Sequence, residues 1–400
     1  MKIVYLMAVQ WDFLWQRPQA LLQALSERQE VIAVEAPLPL SEGLRQPRRV
    51  LRNLAKWLRG GQRLNPNLLV VSPIPLRLPL GRRFAAAAWL NDMLLYLSLR
   101  WLRWRLRLGT VDLFVSTLPD MVQALGALDA RTTVYDCADQ YTGFGSGADE
   151  VMRRREEALC LRVDVVVAVS ERLGIHKASF NRNTRVIRNG VDPRFVEAGR
   201  ALSAGSANGA DGKSVAGTAA AGPGARRIGF VGAIYPWVDV PLIRRLAEAF
   251  PQDEVVLVGP VKTDVSALRD CSNVRLLGAL PHAQLPGTIA AFDVCILPFQ
   301  LNDLTRSSNP VKLYEYLALG KPVVATAIDE AAAFGDLIRV AGSTEEFIQQ
   351  VGAALTEGED HASYALRQRR IAFAEDNSWP ARARDFEALV GVVEQGTGQY

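Results

Sequence analysis

The stretch SSNPVKLYEYLALGKPVVAT (residues 307–326) contains one complete helix-to-strand unit. A polar turn enters a helix at Pro310, the helix ends at Gly320, and a short apolar run follows. Proline at the first helical position and glycine just past the end are the residues that these positions favour. The apolar run does not alternate with polar residues, as expected for a parallel strand buried on both faces. The stretch therefore predicts an α/β fold.

The same alternation of apolar runs and amphipathic helices extends in both directions along the chain. Before this stretch, the predicted strands are KIVYLMAV, EVIAVEA, NLLVVSP, DLFVST, TTVYD, DVVVAVS and TRVIRN. In the second half, they are RIGFVGAI, EVVLVGP, NVRLLGAL, DVCILPF, KPVVAT and LIRVAG. Such alternation predicts parallel sheets that are covered by helices on both faces.

A Gly/Ala/Ser-rich segment, ALSAGSANGADGKSVAGTAAAGPGA, interrupts this pattern. Because this segment cannot bury a core, we interpret it as a flexible linker or insertion. The length of 400 residues fits two domains. We expect two Rossmann-like, doubly wound parallel-sheet domains facing a cleft. The predicted parts are a first domain at 1–197, the linker at 198–225, a second domain at 226–360, and C-terminal helices at 361–400 that pack back on the first domain.

The cysteine and histidine content predicts neither disulfides nor a metal centre. Cys137, Cys160, Cys271 and Cys295 are scattered without a C-x-x-C pair, so reduced thiols in a cytoplasmic protein are expected. The three histidines are far apart in the sequence, and we interpret them as ordinary residues.

Two further features bear on the membrane. The start MKIVYLMAV alternates like a first strand, which predicts that it is not a signal peptide. The longest apolar stretch, Phe84 to Leu99, is interrupted by Asp92 and is too short to span a bilayer.

Positive charge is concentrated in the first part of the chain. Residues 1–110 contain 17 Lys/Arg against 6 Asp/Glu, whereas the remainder contains 29 against 36. Arginines at 45–63 and the Trp/Arg-rich end of a helix predicted at 82–108 fit peripheral contact with the inner face of the cell membrane. Alternatively, the helix buries its tryptophans in the domain and leaves its arginines in water. No nucleic-acid recognition module accompanies the charge.

The start of the helix after Pro310 is a candidate ligand site. Free N–H groups of Val311 and Lys312 are suited to a diphosphate, and the Lys312 side chain adds positive charge. Glu315, one turn later, can accept hydrogen bonds from two ribose hydroxyls. The alternative is that Asn309 caps the helix while Lys312 and Glu315 are solvated.

Several segments resemble the retaining GT-B glycosyltransferases of group 1, which make polysaccharides and glycolipids. These segments are VVVAVSERL (165–173), VIRNGVDPRF (186–195), NVRLLGAL followed by FDVCILPF, and the YEYLALGKPVV run. The form NPVKLYEY is similar to a teichuronic-acid-type branch of the family. The resemblance implies a nucleotide-diphosphate sugar as co-substrate, held by the second domain around Asn309 to Glu315.

The chain departs from the family pattern at two places. Of two glutamates that family members carry eight positions apart, Glu315 matches the second, but Ser307 replaces the first. The loop GAIYPWVD (232–239) lacks the usual basic pair, for which we consider Lys312, Arg306 and Lys262 as substitutes. The implied donor-binding residues are Gly232, Ala233, Lys262, Pro298, Phe299, Arg306, Ser307, Asn309, Pro310, Val311, Lys312 and Glu315. Tyr235 and Trp237 either stack on a ligand ring or serve packing.

Candidate acceptor and catalytic residues follow strands of the first domain. In QWDFLWQRPQ (10–19), Trp11, Trp15 and Arg17 are placed to hold a sugar acceptor, although the tryptophans could instead cover the following helix. Asp136 and Asp139 could orient the acceptor hydroxyl or stabilise positive charge at the anomeric carbon, with helix capping by Asp139 as the alternative. With Lys312, these two aspartates are the predicted catalytic residues.

The resulting hypothesis is transfer of a sugar to a glycan or lipid-linked acceptor with retention of configuration. The resemblance implies front-face substitution, in which the departing phosphate takes the acceptor proton. No D-x-D motif is present, so no metal cofactor is expected. Alternatives are a sugar-nucleotide epimerase or hydrolase on the same fold, or a non-catalytic membrane-associated scaffold. A dinucleotide-dependent dehydrogenase is disfavoured, because the first strand runs into QWDF rather than G-x-G-x-x-G.

Overall fold

The computed structural model describes residues 1–74, 76–77, 84–119, 121–140, 149–206, 224–358 and 360–390. The chain forms two compact units, one of Met1–Arg188 with Pro380–Tyr400 and one of Asn189–Trp379. Most of the predicted linker (207–223), the first residues of the predicted helix 82–108 and the last ten residues of the chain lie outside the described residues.

The first unit is built on an eight-stranded sheet with helices connecting its strands. Its strands are β1 (Lys2–Leu6), β2 (Glu30–Val34), β3 (Leu38–Pro39), β4 (Gln62–Asn65), β5 (Leu68–Val71), β6 (Leu76–Arg77), β7 (Val111–Ser116), β8 (Ala130–Cys137), β9 (Val165–Ala168) and β10 (Thr184–Val186). Its helices before the chain leaves the unit are α1 (Arg17–Ser26), α2 (Leu40–Arg45), α3 (Pro47–Arg59), α4 (Ala85–Arg105), α5 (Asp149–Arg162) and α6 (Glu171–Ala178), with a 3-10 helix at Gln123–Ala127.

The strand order is β10-β9-β8-β7-β1-β2-β5-β4, and all neighbours are parallel except the polar edge strand β4, which runs antiparallel to β5. Strands β3 and β6 form a separate parallel pair. Valine, isoleucine and leucine fill the central strands because both faces are covered, as in Ile3, Val4 and Leu6 of β1, each at most 1% exposed.

The second unit repeats this construction with a six-stranded parallel sheet. Its strands are β11 (Arg227–Val231), β12 (Glu254–Val258), β13 (Val274–Gly278), β14 (Val294–Leu297), β15 (Val323–Thr326) and β16 (Arg339–Ala341), in the order β13-β12-β11-β14-β15-β16. Its helices are α7 (Pro193–Ser206), α8 (Val240–Ala249), α9 (Leu285–Ala290), α10 (Asp303–Arg306), α11 (Val311–Ala318), α12 (Thr344–Leu355) and α13 (His361–Asp376). Short 3-10 helices lie at Ser266–Leu268, His282–Gln284 and Asp329–Leu337, and the last helix, α14 (Trp379–Glu387), leads back into the first unit.

The two parallel α/β units confirm the predicted fold class, and every strand predicted from an apolar run is present. The sequence did not predict β3, β4 and β6. Two of these have only two residues, and β4 is a polar edge strand whose sequence, QRLN, carries no apolar run.

The boundary between the units differs from the one that the Gly/Ala-rich segment predicts. The chain enters the second unit at Asn189, so α7 belongs to that unit and packs on α11, α9 and α13. Phe195 and Val196 at the start of α7 are buried in the second core. The second unit therefore begins before the low-complexity segment in the sequence, where side chains first enter its core.

The C-terminal helices also divide differently from the expectation that 361–400 pack on the first domain. Helix α13 packs on α11 in the second unit, where the buried Arg370 bonds Glu357 and donates to the carbonyl oxygen of Leu337 at 2.9 Å. Residues from Pro380 onward belong to the first unit. There Phe386 is fully buried, with its ring centroid 5.5 Å from the guanidinium of Arg17.

Helices α7 and α11 touch through a glycine. A Cβ added at Gly199 would lie 1.9 Å from the carbonyl oxygen of Ala318, which is backbone and cannot rotate away. We therefore expect Gly199→Ala to push the helices apart and to cost about 1–3 kcal/mol of stability, as overpacked cores do. Thermal and urea unfolding followed by circular dichroism measure this loss.

Gly205→Ala is the matched control in the same helix, because a Cβ there meets nothing within 4 Å. Removing this helical glycine should leave stability unchanged or raise it by about 0.5–1 kcal/mol. Equal melting temperatures for the two variants would contradict the close contact at Gly199.

Candidate functional site

The start of α11 has free backbone donors. Pro310 is the N-cap residue, with φ −69° and ψ 119°, so the helix starts at Val311, one residue later than predicted. No side chain caps this end, and the amides of Val311 and Lys312 have no acceptor among the described residues. Both residues are partly exposed. An uncapped helix start of this kind keeps its hydrogen-bond donors and its partial positive charge for an anion.

Asn309 does not cap α11, because its side chain is hydrogen-bonded to other groups. Its Oδ1 accepts from the backbone N–H of Asn189 at 2.9 Å, and its carbonyl oxygen accepts from Nδ2 of Asn189 at 2.5 Å. Its own Nδ2 donates to Tyr314 Oη at 3.1 Å and to Glu330 Oε2 at 3.0 Å. The segment NGVD thus meets SSNP inside the second unit, and the buried Asn309 positions the helix.

Glu315 lies one turn into α11 and is not solvated. Only 3% of the residue is exposed. Lys312 Nζ donates to its Oε2 at 2.6 Å, and His282 Nε2 lies 3.7 Å from its Oε1. Burial opposes ionisation, but Lys312 and His282 outweigh it and hold the pKa of Glu315 below its ordinary value. The site therefore contains a carboxylate that stays charged at neutral pH.

His282 is the functional candidate that the sequence interpretation missed. The three histidines are far apart in the sequence and have no metal-site spacing, but His282 follows β13, and the rule that ligand-binding residues follow strand ends could have identified it. Its ring also lies against Phe195 of α7, with centroids 5.4 Å apart. His282 thereby links the loop after β13 to both α7 and Glu315.

The loops after three adjacent strands are tied together by backbone hydrogen bonds. The Gly232 amide donates to Val258 at 2.8 Å, the Lys262 amide to Ile234 at 2.8 Å, and the Asp239 amide to Pro298 at 2.8 Å. These bonds place Gly232, Ala233, Lys262, Pro298 and Phe299 in connected loops that follow β11, β12 and β14. The sheet reverses its strand order between β11 and β14, which is where open α/β sheets bind ligands.

The loop of residues 232–239 and the short helix α10 supply the remaining donor candidates. Tyr235 and Trp237 stack on each other, with centroids 4.4 Å apart and planes at 21°. Arg306 is partly exposed and bonds Asp329 at 3.2 Å. Ser307 is only 1% exposed, so the residue in place of the family's first glutamate is buried. Lys262 is exposed and has no carboxylate partner among the described residues.

In the first unit, Arg17 and Asp136 form a buried ion pair, which corrects their predicted roles. Arg17 donates to both oxygens of Asp136, at 3.0 and 2.9 Å, and Tyr5 Oη donates to the same carboxylate at 2.5 Å. Asp136 is fully buried and Arg17 is 4% exposed. A charge buried at a strand end must be paired, so these groups hold α1 against β8 and neither can contact an acceptor directly.

The other first-unit candidates differ in their exposure. Asp139 is an exposed residue, and desolvation of its carboxyl group, opposed by the positive charge of Arg17, raises its pKa to about 6. Trp11 and Trp15 lie edge to face, with centroids 6.4 Å apart, and both are partly exposed. The structure therefore keeps Asp139 and the tryptophan pair available to a ligand.

Comparisons with known sequences point to one family. Residues 225–357 match the family model described as glycosyl transferases group 1. TuaH of Bacillus subtilis (strain 168), named as a teichuronic acid biosynthesis glycosyltransferase, is 28% identical over 211 residues. That alignment covers 48% of this chain and 50% of the relative, so the match spans about half the length of each protein.

Comparisons with solved structures give the fold of the whole chain. HepE from Anabaena in complex with UDP superimposes with a TM-score of 0.63 at 15% identity, covering 98% of this chain and 100% of HepE. Sucrose-phosphate synthase from Thermosynechococcus elongatus gives a TM-score of 0.69 at 13% identity, covering 99% and 100%. Residues 225–357 therefore form a group-1 glycosyltransferase domain, within a chain that has the two-domain α/β fold of the GT-B glycosyltransferases.

Proposed function

We propose that this chain transfers a sugar from a nucleotide-diphosphate donor to a glycan or lipid-linked acceptor in polysaccharide or glycolipid biosynthesis. The observation that carries the proposal is the uncapped start of α11, followed one turn later by the charged carboxylate of Glu315. The family membership of the second unit and the teichuronic acid relative support it. So does the similarity to HepE, which has been solved with UDP and with UDP and glucose.

In this proposal, each group at α11 has a separate task. The amides of Val311 and Lys312 bind the diphosphate, whose charge also favours the positive end of the helix. Glu315 accepts hydrogen bonds from the ribose hydroxyls. Since the Lys312 ammonium is already engaged by Glu315, the exposed Lys262 is the better candidate to reach the leaving diphosphate. Arg306 can help once it leaves Asp329. Amides and these cations then bind the diphosphate without a metal ion.

Sugar transfer is proposed to occur with retention. The bond from the anomeric carbon to the diphosphate breaks, the bond to the acceptor oxygen forms on the same face, and the acceptor proton passes to the departing phosphate. Asp139 stabilises the positive charge that develops at the anomeric carbon, for which it must be ionised. In this proposal, Asp139 is the carboxyl group that acts on the sugar. Asp136 and Arg17 contribute indirectly, because they hold the strand end that precedes Asp139.

We also propose that the first unit contacts the membrane surface from the cytoplasmic side. Outward-facing apolar side chains accompany arginines on α3 and α4, including Leu58, Leu97 and Trp104, which are 58%, 52% and 73% exposed. Trp57 and Trp101 instead pack together across the two helices, with centroids 4.5 Å apart. Among the described residues, no helix is long and apolar enough to cross a bilayer. Exposed tryptophan and leucine beside arginine fit shallow insertion among anionic lipids.

The donor site predicts a loss of nucleotide binding in Glu315→Gln. The amide keeps the shape of the side chain but removes the charge that accepts the ribose hydroxyls. We expect UDP or UDP-sugar binding to weaken by about 10- to 100-fold, equivalent to ~1.5–3 kcal/mol for hydrogen bonds to a charged group. Isothermal titration measures the affinity, and titration in the presence of EDTA tests the absence of a metal.

Glu248→Gln is the control, since Glu248 forms an exposed i,i+4 pair with Arg244 in the same unit. It should leave nucleotide affinity unchanged. Unaltered affinity in Glu315→Gln would remove the proposed site. Turnover of the sugar nucleotide by the wild type without any acceptor would favour the epimerase or hydrolase alternative, and binding without turnover would favour the non-catalytic scaffold.

The raised pKa of Asp139 predicts that the pH–rate profile has an acid limb, that is, a fall in rate toward low pH. Because this carboxyl is ionised only above its pKa of about 6, kcat/KM should fall as pH drops through that value. Asp139→Asn should lower the rate by roughly 100-fold or more and abolish the limb. NMR of the product gives both the rate and the anomeric configuration.

Asp129→Asn is the matched control, because Asp129 is an exposed aspartate of the same unit. It should preserve both the rate and the pH profile. An acid limb that persists in Asp139→Asn would assign that titration to another group, and an inverted anomeric configuration would contradict front-face transfer.

The membrane surface predicts weaker vesicle binding when Trp104 loses its ring. Trp104→Ser should reduce binding to vesicles that contain phosphatidylglycerol by roughly tenfold, because a large apolar side chain no longer leaves water. Flotation assays measure the bound fraction. Leu161→Ser, at a leucine that is 67% exposed on α5, is the control and should have no effect. Equal binding of wild type and Trp104→Ser would refute this contact surface.

A further inference from the structure

A concave site lies in the first unit at the start of α3, and none of the donor candidates is among its lining residues. The cavity has a volume of about 800 Å³. It is formed by the loop after β1, the end of α2 and the first turns of α3, and its lining residues are Asp12, Phe13, Arg45, Gln46, Pro47, Arg48, Arg49 and Arg52. Four arginines and one aspartate thus face one small volume.

The ion pairs in this cavity leave positive charge unbalanced. Asp12 bonds Arg52 at 2.5 Å and lies 3.5 Å from Arg49. Arg45 and Arg48 are exposed, and neither has a carboxylate partner in the part of the chain that the structure describes. Guanidinium groups that converge without a matching number of carboxylates repel one another, and an oxyanion with several acceptor oxygens relieves that repulsion through bidentate bonds.

The backbone adds one donor to the same place. Helix α3 starts at Pro47, and its N-cap residue, Gln46, makes no side-chain cap. Pro47 has no N–H, and the Arg49 amide already donates to the carbonyl oxygen of Gln46 at 3.0 Å, so the Arg48 amide is the donor of the first turn that has no acceptor among the described residues. The partial positive charge at the start of this 13-residue helix adds to that of the guanidinium groups.

One aromatic side chain lines this charged cavity, and two exposed leucines are adjacent to its arginines in the sequence. Phe13 forms part of its wall and is 45% exposed. Leu44 and Leu51 are next to lining arginines in the sequence and are 76% and 65% exposed. A free phosphate or a bare glycan would leave the Phe13 ring in contact with water. A phosphate that is attached to a hydrocarbon chain can bond the arginines and also cover Phe13.

We propose that this arginine cavity binds the phosphate or diphosphate of the acceptor at the point where that group joins an apolar chain. The inference rests on the proposed transferase function and narrows its acceptor to a phosphorylated amphiphile. Arg45 and Arg48 bind the phosphate oxygens, while Asp12 keeps Arg49 and Arg52 in place. Phe13 contacts the first part of the apolar chain.

The test is a direct titration of the full chain with hexyl phosphate in the absence of any sugar nucleotide. The double variant Arg45→Gln/Arg48→Gln should bind hexyl phosphate at least tenfold more weakly than the wild type. Arg59→Gln is the matched control, since Arg59 is an exposed arginine at the other end of α3, outside the cavity. It should bind like the wild type. Unchanged melting temperatures exclude misfolding as the cause.

Three outcomes overturn the proposal. The first is equal binding of hexyl phosphate by the double variant and the wild type. The second is binding of inorganic phosphate at least as tight as that of hexyl phosphate, which would remove the apolar part of the ligand. The third is binding to phosphatidylglycerol vesicles with no binding of hexyl phosphate in solution, which would make these arginines part of a diffuse membrane surface. Because no sugar donor is present, the result is independent of whether the chain transfers sugar.

Discussion

The hydrogen bonds between Asn189 and Asn309 fix the start of α11, and the donor site depends on them. They join residues 120 positions apart and occupy the side chain of Asn309, which could otherwise have capped the helix. As a result, the amides at the helix start stay available to a ligand. The same helix is anchored at its far side, where Tyr316 Oη accepts from the Val231 amide at 2.8 Å. A helix held at both ends can present unsatisfied donors without fraying.

Charge balance explains the surroundings of Glu315. A buried carboxylate is costly unless it is paired, and here Lys312 and His282 supply the partners. This pairing keeps Glu315 ionised for hydrogen bonding. It also means that the positive charge of Lys312 is already paired with a carboxylate. The diphosphate must then rely mainly on backbone amides and on more exposed cations such as Lys262. The absence of a basic pair in the loop of residues 232–239 makes the helix start more important in this chain.

An arginine of the first unit has one of two opposite roles, depending on whether its side chain is buried or exposed. Arg17 is enclosed, satisfied by Asp136, and holds α1 against β8. Of the four arginines that line the cavity at the start of α3, Arg45 and Arg48 are exposed and have no carboxylate partner among the described residues. Unlike the enclosed Arg17, these two can bind an incoming anion. The net positive charge of residues 1–110 thus includes both structural cations and cations that face a ligand.

The sequence by itself determined the strands that are apolar runs, the presence of helices between them and the repetition of the α/β pattern, because hydrophobic periodicity is local and depends on which faces are covered. It also singled out Val311, Lys312 and Glu315, whose spacing on one helix is fixed. Only the tertiary structure decided that Asn309 does not cap α11, that His282 joins Glu315, that Asp136 is enclosed by Arg17 and Tyr5, and that the second unit begins at Asn189. Each of these facts depends on partners brought together from distant parts of the chain, and no periodicity within a short window encodes such a contact.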